Sequence, residues 1–169
     1  KAIRIAGMKE SVIRYIPMDE HFRMDTQKLL QQIQLDHQTG LSPFMVIASA
    51  GTTDIGAVDP FEEIAEICKA KNIWMHVDAA YGGFFILAKA VKEKFKGIEK
   101  ADSITIDPHK GLFLPYGSGA ILIKDTKALY EAHFSEAHYL QDTHRVKGEY
   151  SPANLSPELT KHFRGLRMW

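Results

Sequence analysis

Apolar and polar positions change period several times along the chain, and each change predicts an element. Leu29, Leu30 and Ile33 recur at helical spacing behind Asp25, a residue type that caps helix N-termini, so a helix is predicted to about Thr39, with Gly40 ending it. Phe44 to Ala48 is a continuous apolar run of strand length, the pattern of a parallel strand covered on both faces. Helical period returns from Phe61 to Ala70, with Ile64, Ala65 and Ile67 inward, and gives way to a strand over Ile73 to Asp78. A helical region from Phe84 to Phe95, a strand from Ser103 to Ile106 and a final strand from Ala120 to Lys124 follow. Nearer the start, Ser11 to Ile16 reads as a short strand ended by Pro17.

Strands alternating with helices imply an α/β domain whose sheet is mainly parallel and lies between helices. From Glu131 to Pro157 the apolar period fails, and a stretch that long suggests a functional loop. Three polar groups fall at equivalent places: Thr52 and Thr53 after one strand, Asp78 at the end of the next, and His109 with Lys110 after a third. Ligands of open α/β sheets bind outside the carboxyl ends of the strands, so these residues are expected in one crevice.

Pro108 marks where the backbone leaves the sheet, and it delivers Lys110 to that crevice. A partly desolvated lysine amine forms Schiff bases with carbonyl compounds. Asp78 ends an otherwise apolar strand, where a carboxylate needs a cation or hydrogen-bond donors. It could cap the turn at Ala79 and Ala80, pair with Lys110, or face the ring nitrogen of a pyridine cofactor. At ~4 Å and an effective dielectric near 20 that last attraction is about 4 kcal/mol, enough to keep the ring protonated as an electron sink. His76 shares the face of Asp78 by strand alternation and reads either as a satisfied core histidine or as a neighbour of the site.

Composition narrows the function classes. Hydrophobic residues make up 45% and charged residues 25% of 169, with 21 basic and 21 acidic side chains, so nothing favours nucleic acid or an anionic membrane. No apolar run approaches a membrane span. The single cysteine, Cys68, excludes an internal disulfide, is placed in a helical core, and makes a reducing, cytoplasmic setting the default. His133 and His138 lack the spacing of a zinc helix, so no metal site is expected, and Gly117-Ser118-Gly119 reads as a tight turn before a strand. The opening residues to Gly7 look like the tail of a helix, and nothing around Trp169 signals a domain end, so a piece of a longer protein is expected.

The strings His76-Val77-Asp78-Ala79-Ala80-Tyr81-Gly82-Gly83 and Asp102-Ser103-Ile104-Thr105-Ile106-Asp107-Pro108-His109-Lys110 carry a resemblance, together with Gly51-Thr52-Thr53 and the closing Phe163-Arg164-Gly165-Leu166-Arg167-Met168-Trp169. They resemble the pyridoxal-phosphate-dependent group II amino-acid decarboxylases along essentially the whole chain. The resemblance implies the central part of a fold-type-I large domain, with the enzyme's remaining parts upstream and downstream, and pyridoxal 5'-phosphate as cofactor. It implies that Lys110 holds the cofactor, that Asp78 partners the pyridine nitrogen, and that Ala80 packs on one ring face. By the same resemblance Thr53 lies near the ring substituents, His109 is a phosphate-side donor, and Tyr139 is a catalytic tyrosine on a mobile loop. The implied reaction is α-decarboxylation of an L-amino acid, an aromatic one first and glutamate or another acidic one second, by a homodimer. An aminotransferase or aldolase on the same scaffold stays open, because the aspartate and lysine pair serves those reactions too; a cofactor-free homologue is disfavoured by the intact pair. Two departures are visible: Asp107 stands where the animal enzymes commonly have asparagine, and Gly111-Leu112-Phe113 replaces a bulky tryptophan segment.

Overall fold

Asp25 acts as the cap its position predicts: its carboxylate accepts from the amides of Gln27 and Lys28 at 2.9 and 3.0 Å and starts α2, Thr26–Gln38. The computed structural model describes residues 2–134 and 150–169, and the chain divides into two compact units, Lys1–Pro43 and Phe44–Trp169. The first unit holds α1, the single turn Ala2–Ile5, and α2, whose Leu29 and Ile33 are buried. The predicted strand at Ser11 to Ile16 is not formed. That segment has no ladder partner among the described residues, and Val12, Ile13 and Tyr15 are exposed. Its fixed point is instead Arg14, which donates to Asp36 through Nε at 3.0 Å and Nη2 at 2.8 Å. This pairing, with Gln32 at 3.0 Å, holds the Asp36 carboxyl below its ordinary range.

The second unit is built on a four-stranded sheet in the order β1 (Met45–Ser49), β2 (Trp74–Ala79), β3 (Ser103–Ile106), β4 (Ala120–Ile123). The first three strands are parallel and β4 runs antiparallel to β3. Between β1 and β2 the chain crosses over through α3, Phe61–Lys71, which packs on both strands. Val46 and Ala48 of β1 and Met75, Val77 and Ala79 of β2 are buried on one face, with Phe61, Ile64, Ala65 and Cys68 of α3 buried as well. Each large side chain removed from water this way contributes roughly 1.5–3 kcal/mol. Burial also pushes the Cys68 thiol up to about 11, so it is core packing.

The other face of β1 departs from the expectation that it is covered on both sides: Met45 and Ile47 are 43% and 51% exposed. A continuous apolar run is read as doubly buried because the residues on both faces are hydrophobic, but only the alternate set meets α3. Two carboxylates tie the strand ends to their neighbours. Asp59 accepts from the Ser49 amide at 2.7 Å, and Asp102 accepts from the Met75 amide at 2.7 Å while its own amide donates back to Met75 at 2.9 Å. The helical region predicted for Phe84 to Phe95 is two 3-10 turns, Gly83–Leu87 and Lys92–Phe95. Gly83 is pressed against Ala79 and Ile106, Phe95 is buried and Gly97 abuts Glu62, so the chain is pinned at both ends and takes the tighter winding.

Candidate active site

Parallel strands end together, and the segments leaving β1, β2 and β3 therefore share one edge of the sheet. Because β4 is antiparallel and pairs Ala120 with Ile106, the segment entering it reaches the same edge. Two glycines bring the first two exits into contact. A Cβ on Gly51, which has φ +85°, would stand 2.8 Å from the Gly82 Cα, and one on Gly82 would strike the Ala50 carbonyl oxygen and lie 2.6 Å from the Gly51 Cα. Nothing larger fits between the two backbones.

Thr52 and Thr53 separate in role. The Thr52 hydroxyl accepts from the Ala57 amide at 3.2 Å and donates to Asp54, whose carboxyl it holds below the ordinary range, so Thr52 closes its own loop. Thr53 is exposed, and its hydroxyl has no hydrogen bond among the described residues. Asp78 is exposed at the end of β2, opposite Ser49 on β1 and Thr105 on β3. Of the partners open to it in sequence, it takes the turn: Oδ1 accepts from the Ala80 amide at 3.1 Å, and no cation pairs with it among the described residues. Ala80 itself is half-buried.

Pro108 opens α4, the single turn Pro108–Gly111, rather than a loop. Proline suits the first helical position because the amide it lacks would have no partner there. The turn puts Lys110 three residues after Asp107, and Lys110 Nζ lies 2.6 Å from Asp107 Oδ2. Lys110 is 42% exposed while Asp107 is 16% exposed, so the amine faces outward over a sheltered carboxylate. Of the alternatives open for Asp78, the pairing with Lys110 is not formed, and the lysine meets Asp107, a residue that the sequence marked only as a departure. Its spacing from Lys110 was the available signal, and it carries weight only once α4 is known to be helical. Gly119 makes room for this carboxylate, since a Cβ there would lie 2.8 Å from Asp107 Oδ1. As predicted, Gly117-Ser118-Gly119 is a turn: Gly117 has φ +89° and Ser118 donates to the Pro115 carbonyl at 3.2 Å.

His109 packs edge-on to Tyr116 with ring centroids 4.9 Å apart, and its Nε2 lies 3.9 Å from Asp107 Oδ2. Its Nδ1 is buried without a hydrogen-bond partner among the described residues. A buried polar nitrogen left unpaired costs about 1–3 kcal/mol, which a bound acceptor or donor would recover. Behind Asp78, on the same face of β2, His76 contacts Ser103 Oγ through Nδ1 at 2.8 Å and Thr105 Oγ1 through Nε2 at 3.3 Å. Burial pushes its imidazole below the ordinary range, against the opposing pull of Asp78. Of the two readings open for His76, the satisfied histidine is found, and it also borders the site. Tyr139 lies outside the described residues. Among the described residues no cluster of histidine, cysteine and carboxylate could hold a metal ion, and no helix is long and apolar enough to cross a membrane.

A mainly parallel α/β sheet thus presents, at the carboxyl edge of its parallel strands, a lysine, a carboxylate with no cation partner and a buried imidazole nitrogen with no hydrogen-bond partner among the described residues, an arrangement chemically suited to a carbonyl group held on lysine. The chain belongs to the family described as pyridoxal-dependent decarboxylase conserved domain, which matches residues 1–169. It is 39% identical over 170 residues to an aromatic-L-amino-acid decarboxylase of Bacillus atrophaeus, covering 100% of this chain and 35% of that protein. To a cysteine sulfinic acid decarboxylase of Rattus norvegicus it is 38% identical over 141 residues, covering 83% of this chain and 29% of that protein. Among solved structures, Oryza sativa TDC with PLP and tryptamine superposes with a TM-score of 0.89 at 32% identity, covering 99% of this chain and 35% of that one. The chain thus spans about a third of the length of these relatives.

Proposed function

We propose that the protein of which this chain is part removes the α-carboxylate of an L-amino acid with pyridoxal 5'-phosphate as cofactor, and that the chain is the central part of its cofactor-binding domain. The observation that carries this reading is the meeting, in a member of the pyridoxal-dependent decarboxylases, of Lys110, an Asp78 carboxylate without a cation partner and a His109 Nδ1 without a hydrogen-bond partner, both among the described residues, at one sheet edge. These residues fit the group chemically. Lys110 would supply the amine, Asp78 a carboxylate for a ring nitrogen, and His109 a buried nitrogen for the phosphate side, while Ala80 would offer a small flank and Thr53 an exposed hydroxyl. When bound, the cofactor supplies an electron sink for the pair left behind as carbon dioxide departs.

The chain's own residues do the rest. Asp78 would hold the ring nitrogen in its charged form, since no cation pairs with the carboxylate among the described residues. Lys110, held over Asp107, must leave that carboxylate to reach a carbonyl. We assign delivery of the proton to the substrate carbon to Tyr139, whose phenol carries a transferable proton. An aromatic substrate is favoured by the Bacillus atrophaeus relative and the Oryza sativa structure. An acidic substrate is the second reading, favoured by the cysteine sulfinic acid decarboxylase at almost the same identity. We assign the working form as a cytoplasmic homodimer.

The test is a panel of L-amino acids assayed for carbon dioxide with the full-length protein. Lys110→Ala is expected to abolish both turnover and the visible absorbance of bound cofactor, whereas Tyr139→Phe should bind cofactor normally and lose amine production. Substantial turnover in the lysine variant would sink the reading. Amine formation at the parent rate in the phenylalanine variant would move the proton donor elsewhere, to His109 first.

A further inference from the structure

The face of β2 that ends in Asp78 carries a chain of side-chain hydrogen bonds with a forced direction. Trp74 Nε1 donates to Ser103 Oγ at 2.8 Å, Ser103 Oγ meets His76 Nδ1 at 2.8 Å, and His76 Nε2 meets Thr105 Oγ1 at 3.3 Å. An indole N–H can only donate, so the serine oxygen must accept from Trp74. Ser103 is buried, and Trp74 and His76 are its hydroxyl's two partners among the described residues. If His76 Nδ1 carried the proton, the serine hydrogen would have no acceptor, at the cost of a buried unsatisfied donor. The serine therefore donates to Nδ1, the imidazole proton sits on Nε2, and Nε2–H donates to Thr105.

We infer that Trp74 and Ser103 act as a relay that fixes His76 as its neutral, Nε2-protonated form, and that this neutrality makes His76 a positioning residue for Asp78. The consequence for Asp78 rests on the reading of that carboxylate as the partner of the cofactor's ring nitrogen. His76 and Asp78 share one strand face, and an imidazolium there would compete with the ring for the same negative charge. At the register positions beside His76 stand Ile47 on β1 and Ser103 on β3, neither of which titrates in the relevant range, and among the described residues Asp78 is the charged group that acts on it. Burial works in the same direction as the relay. The strand thus carries a histidine next to the essential carboxylate without neutralising it.

Neutron diffraction from crystals of the full-length protein reads the proton positions directly. Deuterium is expected on His76 Nε2 and on the Ser103 hydroxyl directed at Nδ1, and deuterium on Nδ1, alone or with Nε2, overturns the inference. The functional half is read by titrating pyridoxal phosphate binding as a function of pH. His76→Gln is neutral and is expected to bind within about fivefold of the parent, the scale of one net hydrogen bond, and a larger loss in a natively folded variant means the imidazole is needed as more than a neutral group. Ser103→Ala removes the donor to Nδ1, so its loss of affinity relative to the parent should grow as pH falls through the histidine range, with Ser103→Thr restoring the parent profile. A loss that is the same at every pH would make Ser103 merely structural and overturn the relay. Failure of the Asp78 assignment would show separately, as an Asp78→Asn protein that binds the cofactor like the parent while the His76 proton stays where it was, and it would remove the consequence drawn for Asp78.

Discussion

Replacing Gly82 by alanine probes the contact that joins the segments leaving β1 and β2. Gly82 has φ −91° and ψ −5°, which alanine adopts freely, so the penalty is steric alone. The added methyl would strike the Ala50 carbonyl oxygen and sit 2.6 Å from the Gly51 Cα, close to 1 Å nearer than ordinary carbon contact. Both obstacles are backbone, and neither can rotate away. Ala50 is held by its amide's bond to the Asp78 carbonyl at 2.9 Å and by its bridge to Val58. Overpacking of this kind costs about 1–3 kcal/mol, and two backbone obstacles put Gly82→Ala toward the upper end. For a unit of this size that lowers the thermal midpoint by roughly 3–10 °C. Because relief requires the Thr52-Thr53 segment to move away from the Asp78-Ala80 segment, pyridoxal phosphate affinity should fall together with stability in the full-length protein. Gly165→Ala, where an added Cβ meets nothing within 4 Å, is the control and should stay within about 0.5 kcal/mol. A Gly82→Ala protein with the parent's midpoint and affinity would refute the close approach.

Two further outcomes are expected. Asp107→Asn keeps a hydrogen-bond acceptor for Lys110 but removes the charge attraction, which for a pair whose lysine end is exposed is about 0.2–1 kcal/mol, so visible absorbance should develop up to about fivefold faster when pyridoxal phosphate is added to cofactor-free protein; an unchanged or slower rate would show that Asp107 does not restrain the amine. His76, whose imidazole lies below its ordinary 6.5 in the folded state, binds protons more readily when unfolded, so stability should fall as pH drops below 6.5 and level off once the folded imidazole is also protonated. Chemical denaturation across that range should show this slope in the parent and lose it in His76→Gln.

The elements were legible in sequence wherever a local cause was sufficient. Asp25 caps its helix through its own carboxylate, α3 follows the spacing of Ile64 and Ala65 although Cys68 rather than Ile67 completes its buried side, and Ser103 to Ile106 ends where Pro108 cannot continue a ladder. The gathering of Thr53, Asp78 and Lys110 at one edge followed from strand direction alone, because parallel strands must end on the same side. What needed the tertiary structure was partnership. Ser11 to Ile16 has the composition of a strand but no neighbour to pair with, and Phe84 to Phe95 has helical spacing but is wound by its two pinned ends. Lys110 meets Asp107 rather than Asp78 because one helical turn after Pro108 sets their separation, and a turn so short leaves no period to read. The relay from Trp74 to Thr105 crosses between two strands whose register is fixed by the hydrogen-bonded ladder and by Asp102, so no pattern within either strand could disclose it. Local propensity and alternation decide which residues can face a site, while the pairing of distant backbone decides which of them touch.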